Sequence, residues 1–267
     1  MDSRTGTAIG ISTSAICFWL VAPWFLEIKY FASSAIFLFI GIGLIRPALS
    51  ANLGTAGIRF LGPTLSGTLS STSPFFGVAL GALWLGEEVT GPIVAGTTGI
   101  FCAVILLARR GGNVFRDWPV WALALPIGAA VIRALGHAVN KFGMGYIPDP
   151  YFATLLGFTT SALVTVFVQS IYGNKNITRN TNGWNNLQGA GIAWFMAGGM
   201  MYAVAVLSLN QALIIGEVVT VVPIVSCNPI FTMLLSIFIF RSEKIKIPTI
   251  LALALVLPSV LVVVLWG

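Results

Sequence analysis

Long stretches without a charged side chain alternate with short polar punctuation along this chain. Residues 5–26, 30–45, 60–86, 89–108, 118–132, 150–174, 180–216, 218–240 and 247–267 contain no Asp, Glu, Lys or Arg. Most are long enough for the roughly 20 apolar helical residues that cross a hydrocarbon core. The apolar positions do not form a single stripe: Ile247 to Trp266 is apolar on every face, as expected of a helix with no water beside it. A barrel strand would instead alternate apolar and polar residues over about ten positions. Lipid offers no partner to a backbone N–H or C=O, so spans of this kind must be helices. The pattern predicts nine of them, at residues 6–25, 31–55, 63–85, 91–108, 118–142, 150–172, 188–211, 217–240 and 246–266, in an all-α integral membrane protein.

Composition excludes a water-soluble reading. Of 267 residues 57% are hydrophobic and 8% charged, and the mean hydropathy is +0.94, which leaves too little polar surface to meet water. Cys17, Cys102 and Cys227 fall inside predicted spans and read as small packing residues rather than a disulfide framework. The first apolar run ends in Pro23, Trp24 and Phe25 instead of the small residues of a cleavage site, and Arg4 is a thin basic region, so this run reads as a retained span. The net charge of +6 lies mainly in loops, where topology and anionic lipid headgroups account for it. Nucleic-acid motifs are missing from the sequence, and nothing in it calls for a cofactor or a metal.

Two regions of the chain look alike. Ser71-Thr72-Ser73-Pro74-Phe75-Phe76 is followed by Leu85-Gly86-Glu87-Glu88, and Ser226-Cys227-Asn228-Pro229-Ile230-Phe231 is followed by Phe240-Arg241-Ser242-Glu243. At one constant offset Gly43 falls on Gly198, Ser71 on Ser226, Pro74 on Pro229, Phe76 on Phe231 and Glu88 on Glu243. A small or polar stretch, a proline followed by an aromatic, a dozen apolar residues and then Leu-Gly-Glu resembles the EamA module of the drug/metabolite transporter superfamily. Pro74 to Leu107 carries the resemblance in the first half and Trp118 to Trp266 in the second, where Arg241-Ser242-Glu243 is a degraded form of the signature. The resemblance implies two repeats related by inverted topology, residues 1–110 and 118–267, with a substrate cavity near the midplane.

One departure stands out. Carried backward, the offset places Met1 on Leu156, so nothing in the first half corresponds to the span at 118–142, and the family's ten helices are expected as nine, four in the first repeat and five in the second. A late start codon or a shortened gene would account for it. Orientation is in conflict as well. Nine spans place Arg4, Arg59, Arg109, Arg110, Arg116, Lys175, Arg179, Arg241, Lys244 and Lys246 on one side against Lys29 and Lys141 on the other. The positive-inside rule then puts the N-terminus inside, whereas the resemblance implies the reverse.

Inside the membrane the most unusual span is the fifth. Arg133, His137 and Lys141 recur every four residues and share a helix face, with Asn140 beside them. Ionisable groups at membrane depth are functional candidates by default. Lys141 lies near a helix end and can snorkel, and Arg133 can equally face a helix C-terminus. His137 is the sole histidine, with a reference pKa of about 6.5 that would let it follow a proton gradient; the alternative is a hydrogen-bonded packing residue. On the seventh span Tyr202, Val206 and Asn210 share a face with Gln211 alongside, and on the eighth Glu217, Val221, Ile224 and Asn228 do. Such groups can line an apolar cavity with a few polar handles or hydrogen-bond between helices. Ser71, in the hydroxyl-rich run before Pro74, can serve a substrate or replace a backbone partner the proline removes. Glu87, Glu88 and Glu243 sit at helix exits and read as structural, fixing the turn into the following helix.

These features point to a secondary transporter, expected to export small metabolites, amino-acid-like compounds or lipophilic drugs across a bacterial inner membrane. Its substrate-binding candidates are Arg133, His137, Asn140, Tyr202, Asn210, Gln211, Asn228 and Ser71, and its other partners are membrane lipids and a proton or other coupling ion. Direct ATP coupling has no phosphate loop to support it. A polytopic enzyme acting on lipid headgroups would need clustered carboxylates or histidines, and a single histidine with eight dispersed acids argues against one. A non-transporting partner of another membrane protein is the third reading.

Overall fold

The computed structural model describes residues 3–46, 48–108, 119–173, 189–228, 230, 231, 234 and 247–266. Pro229, Arg241, Glu243 and the loop cations Arg109, Arg110, Arg116, Lys175, Arg179, Lys244 and Lys246 lie outside them. The described residues form helices and no strand: α1 Ser3–Phe25, α2 Ile36–Ile45, α3 Ala48–Leu61, α4 Pro63–Ser70, α5 Ser73–Leu80, α6 Gly91–Ala108, α7 Ala124–Met144, α8 Pro150–Gly173, α9 Gly189–Ile215, α10 Val218–Val225 and α11 Ile247–Trp266. Short 3-10 turns at Ile28–Ala32 and Val120–Leu123 precede α2 and α7, and a π-turn at Gly81–Leu85 prolongs α5. Gly6–Phe25, Val120–Met144, Pro150–Ser170 and Gly191–Ile215 are long and apolar enough to cross a membrane.

Two expected spans are broken where the sequence carries a proline. The span at 31–55 divides into α2 and α3 at Arg46, whose backbone is extended at φ −109° and ψ 141°. Arg46 precedes Pro47 in the sequence, and the proline ring excludes the helical conformation from the residue before it. The span at 63–85 divides at the turn Ser71–Thr72, after which Pro74 occupies the first turn of α5, where its missing N–H would have had no partner in any case. An eight-residue helix followed by a two-residue turn recurs: Pro63–Ser70 with Ser71–Thr72, and Val218–Val225 with Ser226–Cys227. No proline interrupts α9, and it runs unbroken through the positions that the offset relates to Arg46 and Pro47.

Residues 1–48 and 139–214 make one compact unit, and residues 49–138 and 215–267 make a second. The first contains α1, α2, the end of α7, α8 and α9. Its core gathers Ile11, Ala15, Phe18, Tyr151, Leu155, Phe158 and Ala203, with Phe18 stacked on Phe158 at 5.8 Å between centroids. Tyr151 donates its hydroxyl proton to the Phe18 carbonyl, which satisfies the one polar atom of that aromatic group. Helices α2 and α8 approach so closely that a Cβ on Gly43 would meet the Thr160 Cβ at 2.7 Å.

The second unit contains α3 to α6, the first part of α7, α10 and α11. Ile100, Ala103, Cys227, Ile230, Ala252 and Val256 pack at its centre. The three cysteines are free thiols, buried only at Cys227.

Candidate functional site

The polar chemistry of the first unit converges on one cavity. It measures about 50 Å³, and Arg46, Asn140, Thr154, Ser161, Tyr202 and Asn210 line it together with Ile42, Phe158 and Val206. The helical period brings Tyr202, Val206 and Asn210 of α9 to this one face. Helix α8 supplies Thr154 and Ser161, α7 supplies Asn140, and the break after α2 supplies Arg46.

Hydrogen bonding fixes the orientation of the buried amides. Thr154 donates its hydroxyl to the Pro150 carbonyl at 2.6 Å, so its oxygen accepts from Asn210 Nδ2 at 2.8 Å. Asn210 must then turn Oδ1 toward Asn140, which donates from Nδ2 at 3.2 Å. Once that donor is committed, the Asn140 carbonyl oxygen is left buried without a partner, since an amide oxygen can only accept. Asn210 and Thr154 are almost fully buried and Asn140 is 7% exposed. Ser161 donates to the Gly43 carbonyl at 2.8 Å and to the Arg46 carbonyl, holding the broken end of α2 on α8. The Tyr202 ring meets Phe158 edge-on at 5.6 Å.

The expected site residues divide between the two units. Asn140, Tyr202 and Asn210 share the cavity, and the neighbouring Gln211 is exposed. Lys141 donates to the Leu213 carbonyl at 2.5 Å and to that of Ile214 at 3.4 Å, so it closes the C-terminal turn of α9, where a cation meets the negative end of the helix. Arg133, His137, Ser71 and Asn228 belong to the second unit. Arg133 Nη2 donates to the Ser70 carbonyl at the C-terminus of α4, at 2.9 Å, the helix-terminus arrangement that its position allowed. His137 is buried. The Ser71 hydroxyl donates to the Gly67 carbonyl of the preceding helix α4 at 2.8 Å, and Asn228 is exposed.

Glu87 is structural, although not in the way expected. Its carboxylate reaches past the following turn to another helix, accepting from the Val218 and Val219 backbone N–H groups at 2.9 Å each. The positive end of α10 and its unpaired donors attract a carboxylate more strongly than a local turn would. Gly86 supplies the left-handed turn, at φ +71°, that starts the excursion.

Arg46, Thr154 and Ser161 are cavity residues that the sequence pattern did not single out. For Arg46 a signal existed: a cation beside a proline inside a nominal span. Thr and Ser are too common in membrane helices to stand out. A larger groove of about 900 Å³ between α1 and α8 is lined by Ile16, Trp19, Leu20, Leu163 and Phe167, all exposed. A face of this composition meets lipid tails and offers few groups to orient a solute.

Comparison with known proteins agrees with the helix pattern. The EamA-like transporter family model matches residues 120–265. A solved structure titled only as the crystal structure of a protein superposes with a TM-score of 0.79 at 15% identity, covering 100% of this chain and 90% of its own, which shows a shared fold. No curated protein matches. The match over residues 120–265 spans more than half of the chain, which therefore belongs to the EamA-like transporter family of the drug/metabolite transporter superfamily.

Proposed function

We propose that this membrane protein is a secondary exporter of small solutes, working by alternating access between two repeats of inverted topology, residues 1–110 and 118–267. The family supplies the transporter class. The observation that carries the reading is the polar cavity inside otherwise apolar helices, where Asn140, Asn210 and Thr154 are oriented by one another and an acceptor is left for a ligand. Few polar handles among apolar walls is the composition of a small-molecule site. The recurrence of an eight-residue helix and its turn at α4 and α10 supports the two-repeat reading. Rocking of one repeat against the other would expose the bound solute to each side in turn.

Purified full-length protein in sealed vesicles tests this. Counterflow of small amino acids, organic acids or a lipophilic cation, dependent on the protein, is the expected result. Chemical conversion of lipid headgroups without any solute flux would favour a membrane enzyme instead, and neither activity would favour a partner protein. His137 remains the proposed proton-responsive group.

A further inference from the structure

Among the described residues the Arg46 side chain has no partner in the fold. The ten residues of α2 rise about 15 Å, roughly half of a hydrocarbon core of about 30 Å, and the break that carries Arg46 falls inside the span expected at 31–55. Its backbone is already committed: the N–H donates to the Ile42 carbonyl and the C=O accepts from Ser161. What Arg46 has left to offer the cavity it lines is its guanidinium, which has no hydrogen bond or ion pair among the described residues.

Among the described residues of the same unit, no carboxylate answers that charge. The acids among its described residues are Glu27 and Asp149. Glu27 pairs with Lys29, whose ammonium pKa it raises above the ordinary value through their hydrogen bond and charge attraction. Asp149 accepts from the Tyr151 and Phe152 N–H groups at the start of α8. An arginine inside a span needs a counter-charge or water, and the acids among the described residues of this unit are committed elsewhere.

We propose that this cavity is a carboxylate-binding subsite, in which the Arg46 guanidinium holds the anionic end of the transported solute while the Asn140 carbonyl oxygen receives a hydrogen-bond donor of the same molecule. Three observations set the class. A volume of about 50 Å³ exceeds the 10–15 Å³ one water needs but falls far below a whole drug-sized ligand; it fits a head group. Lys141 is committed to the end of α9, so one available positive charge matches a monoanion better than a phosphate dianion. A planar fork of donors also suits a carboxylate, and Phe158, Val206 and Ile42 form the apolar part of the same cavity wall. The inference rests on the transport reading and narrows it to small carboxylic acids, amino acids included, and away from lipophilic cations.

The test uses the full chain in phosphatidylcholine nanodiscs, with binding of L-leucine, 4-methylpentanoate, L-leucinamide and inorganic phosphate followed calorimetrically. Both carboxylates are expected to bind, and leucinamide, which lacks the anion, at least about tenfold more weakly. Arg46→Gln should weaken both carboxylates by about 10- to 100-fold, the value of a charged hydrogen-bonded contact, and Arg46→Lys by less, because it keeps the charge and loses the fork. Asn140→Leu should weaken leucine more than 4-methylpentanoate, which has no ammonium to offer. Should Arg46→Gln fail to fold, the Arg46→Lys and leucinamide comparisons still decide.

Absence of carboxylate binding by the wild type, or unchanged binding by Arg46→Gln, overturns the proposal. So does phosphate binding as tightly as leucine, or loss of wild-type carboxylate binding when phosphatidylglycerol replaces phosphatidylcholine in the nanodiscs, since the latter would assign the site to a lipid headgroup. Protein-dependent vesicle flux of ethidium without carboxylate binding would leave the transport reading standing and remove only the subsite.

Discussion

Removing the Glu87 carboxylate should destabilise the second unit by more than any other change in the Leu85-Gly86-Glu87-Glu88 signature. Its two oxygens accept from the first two N–H groups of α10, each at 2.9 Å, and the residue preceding that helix, Glu217, makes no side-chain cap of its own. Hydrogen bonds to a charged acceptor contribute about 1.5–3 kcal/mol each. Because Glu87 is only half-buried, the lower end applies, giving about 3 kcal/mol for Glu87→Ala. Glu87→Gln keeps one acceptor but turns an NH2 against the second backbone donor, and should cost about 2 kcal/mol. Glu88 is exposed, so Glu88→Ala should stay within about 0.5 kcal/mol of the wild type. Reversible unfolding by denaturing detergent in mixed micelles, followed by circular dichroism, measures all three. A Glu87→Ala midpoint within 0.5 kcal/mol of the wild type, or a Glu88→Ala loss equal to it, would refute the assignment.

Asn210→Leu should lower stability in the same assay by about 1–2 kcal/mol, because it leaves the Asn140 amide donors buried without a partner in a setting where interhelical polar bonds are individually modest; a neutral or stabilising result would mean that the amide chain is not formed in the membrane. If protons drive transport through His137, His137→Gln should abolish accumulation driven by a pH gradient and spare substrate exchange in reconstituted vesicles, and equal gradient-driven rates in both proteins would leave His137 a packing residue.

The helices were legible because lipid imposes one rule on every residue of a span: long charge-free runs must be helical. Gly91–Ala108 lies where the pattern put it, and the ends of α1, α8 and α11 fall within a few residues of expectation. Breaks inside the runs were harder to see. Hydropathy continues through Arg46 because the neighbouring side chains remain apolar, and the hydroxyl-rich run at Ser71 carries no charge to mark a break; the interruption comes from proline's effect on the backbone. The shared face of Tyr202, Val206 and Asn210 followed from the helical period. Its partners Thr154 and Ser161 could not be found this way, since which helices meet is a tertiary matter and hydroxyl residues occur throughout the chain. Similarly, the distance of Glu87 from Val218 in sequence hides the contact that gives the signature its physical sense.

Arg46 gains significance from what stands at the related position of the other repeat. On the repeat reading Arg46 corresponds to Met201 and Pro47 to Tyr202, both inside the unbroken α9. A methionine there needs no counter-charge, whereas an arginine inside a span costs up to about 2.5–3.5 kcal/mol by insertion measurements. Packing alone would favour the apolar residue in both repeats. The side chain that replaces it occupies an extended backbone position ahead of a proline and lines the polar cavity of its unit. A duplicated fold supplies two similar frames, and a solute with one charged end needs one charged site. Departure from the repeat at Arg46 is the place where such an asymmetry would be written, and on the carboxylate proposal the cost of placing a guanidinium there would be offset when it meets an anion.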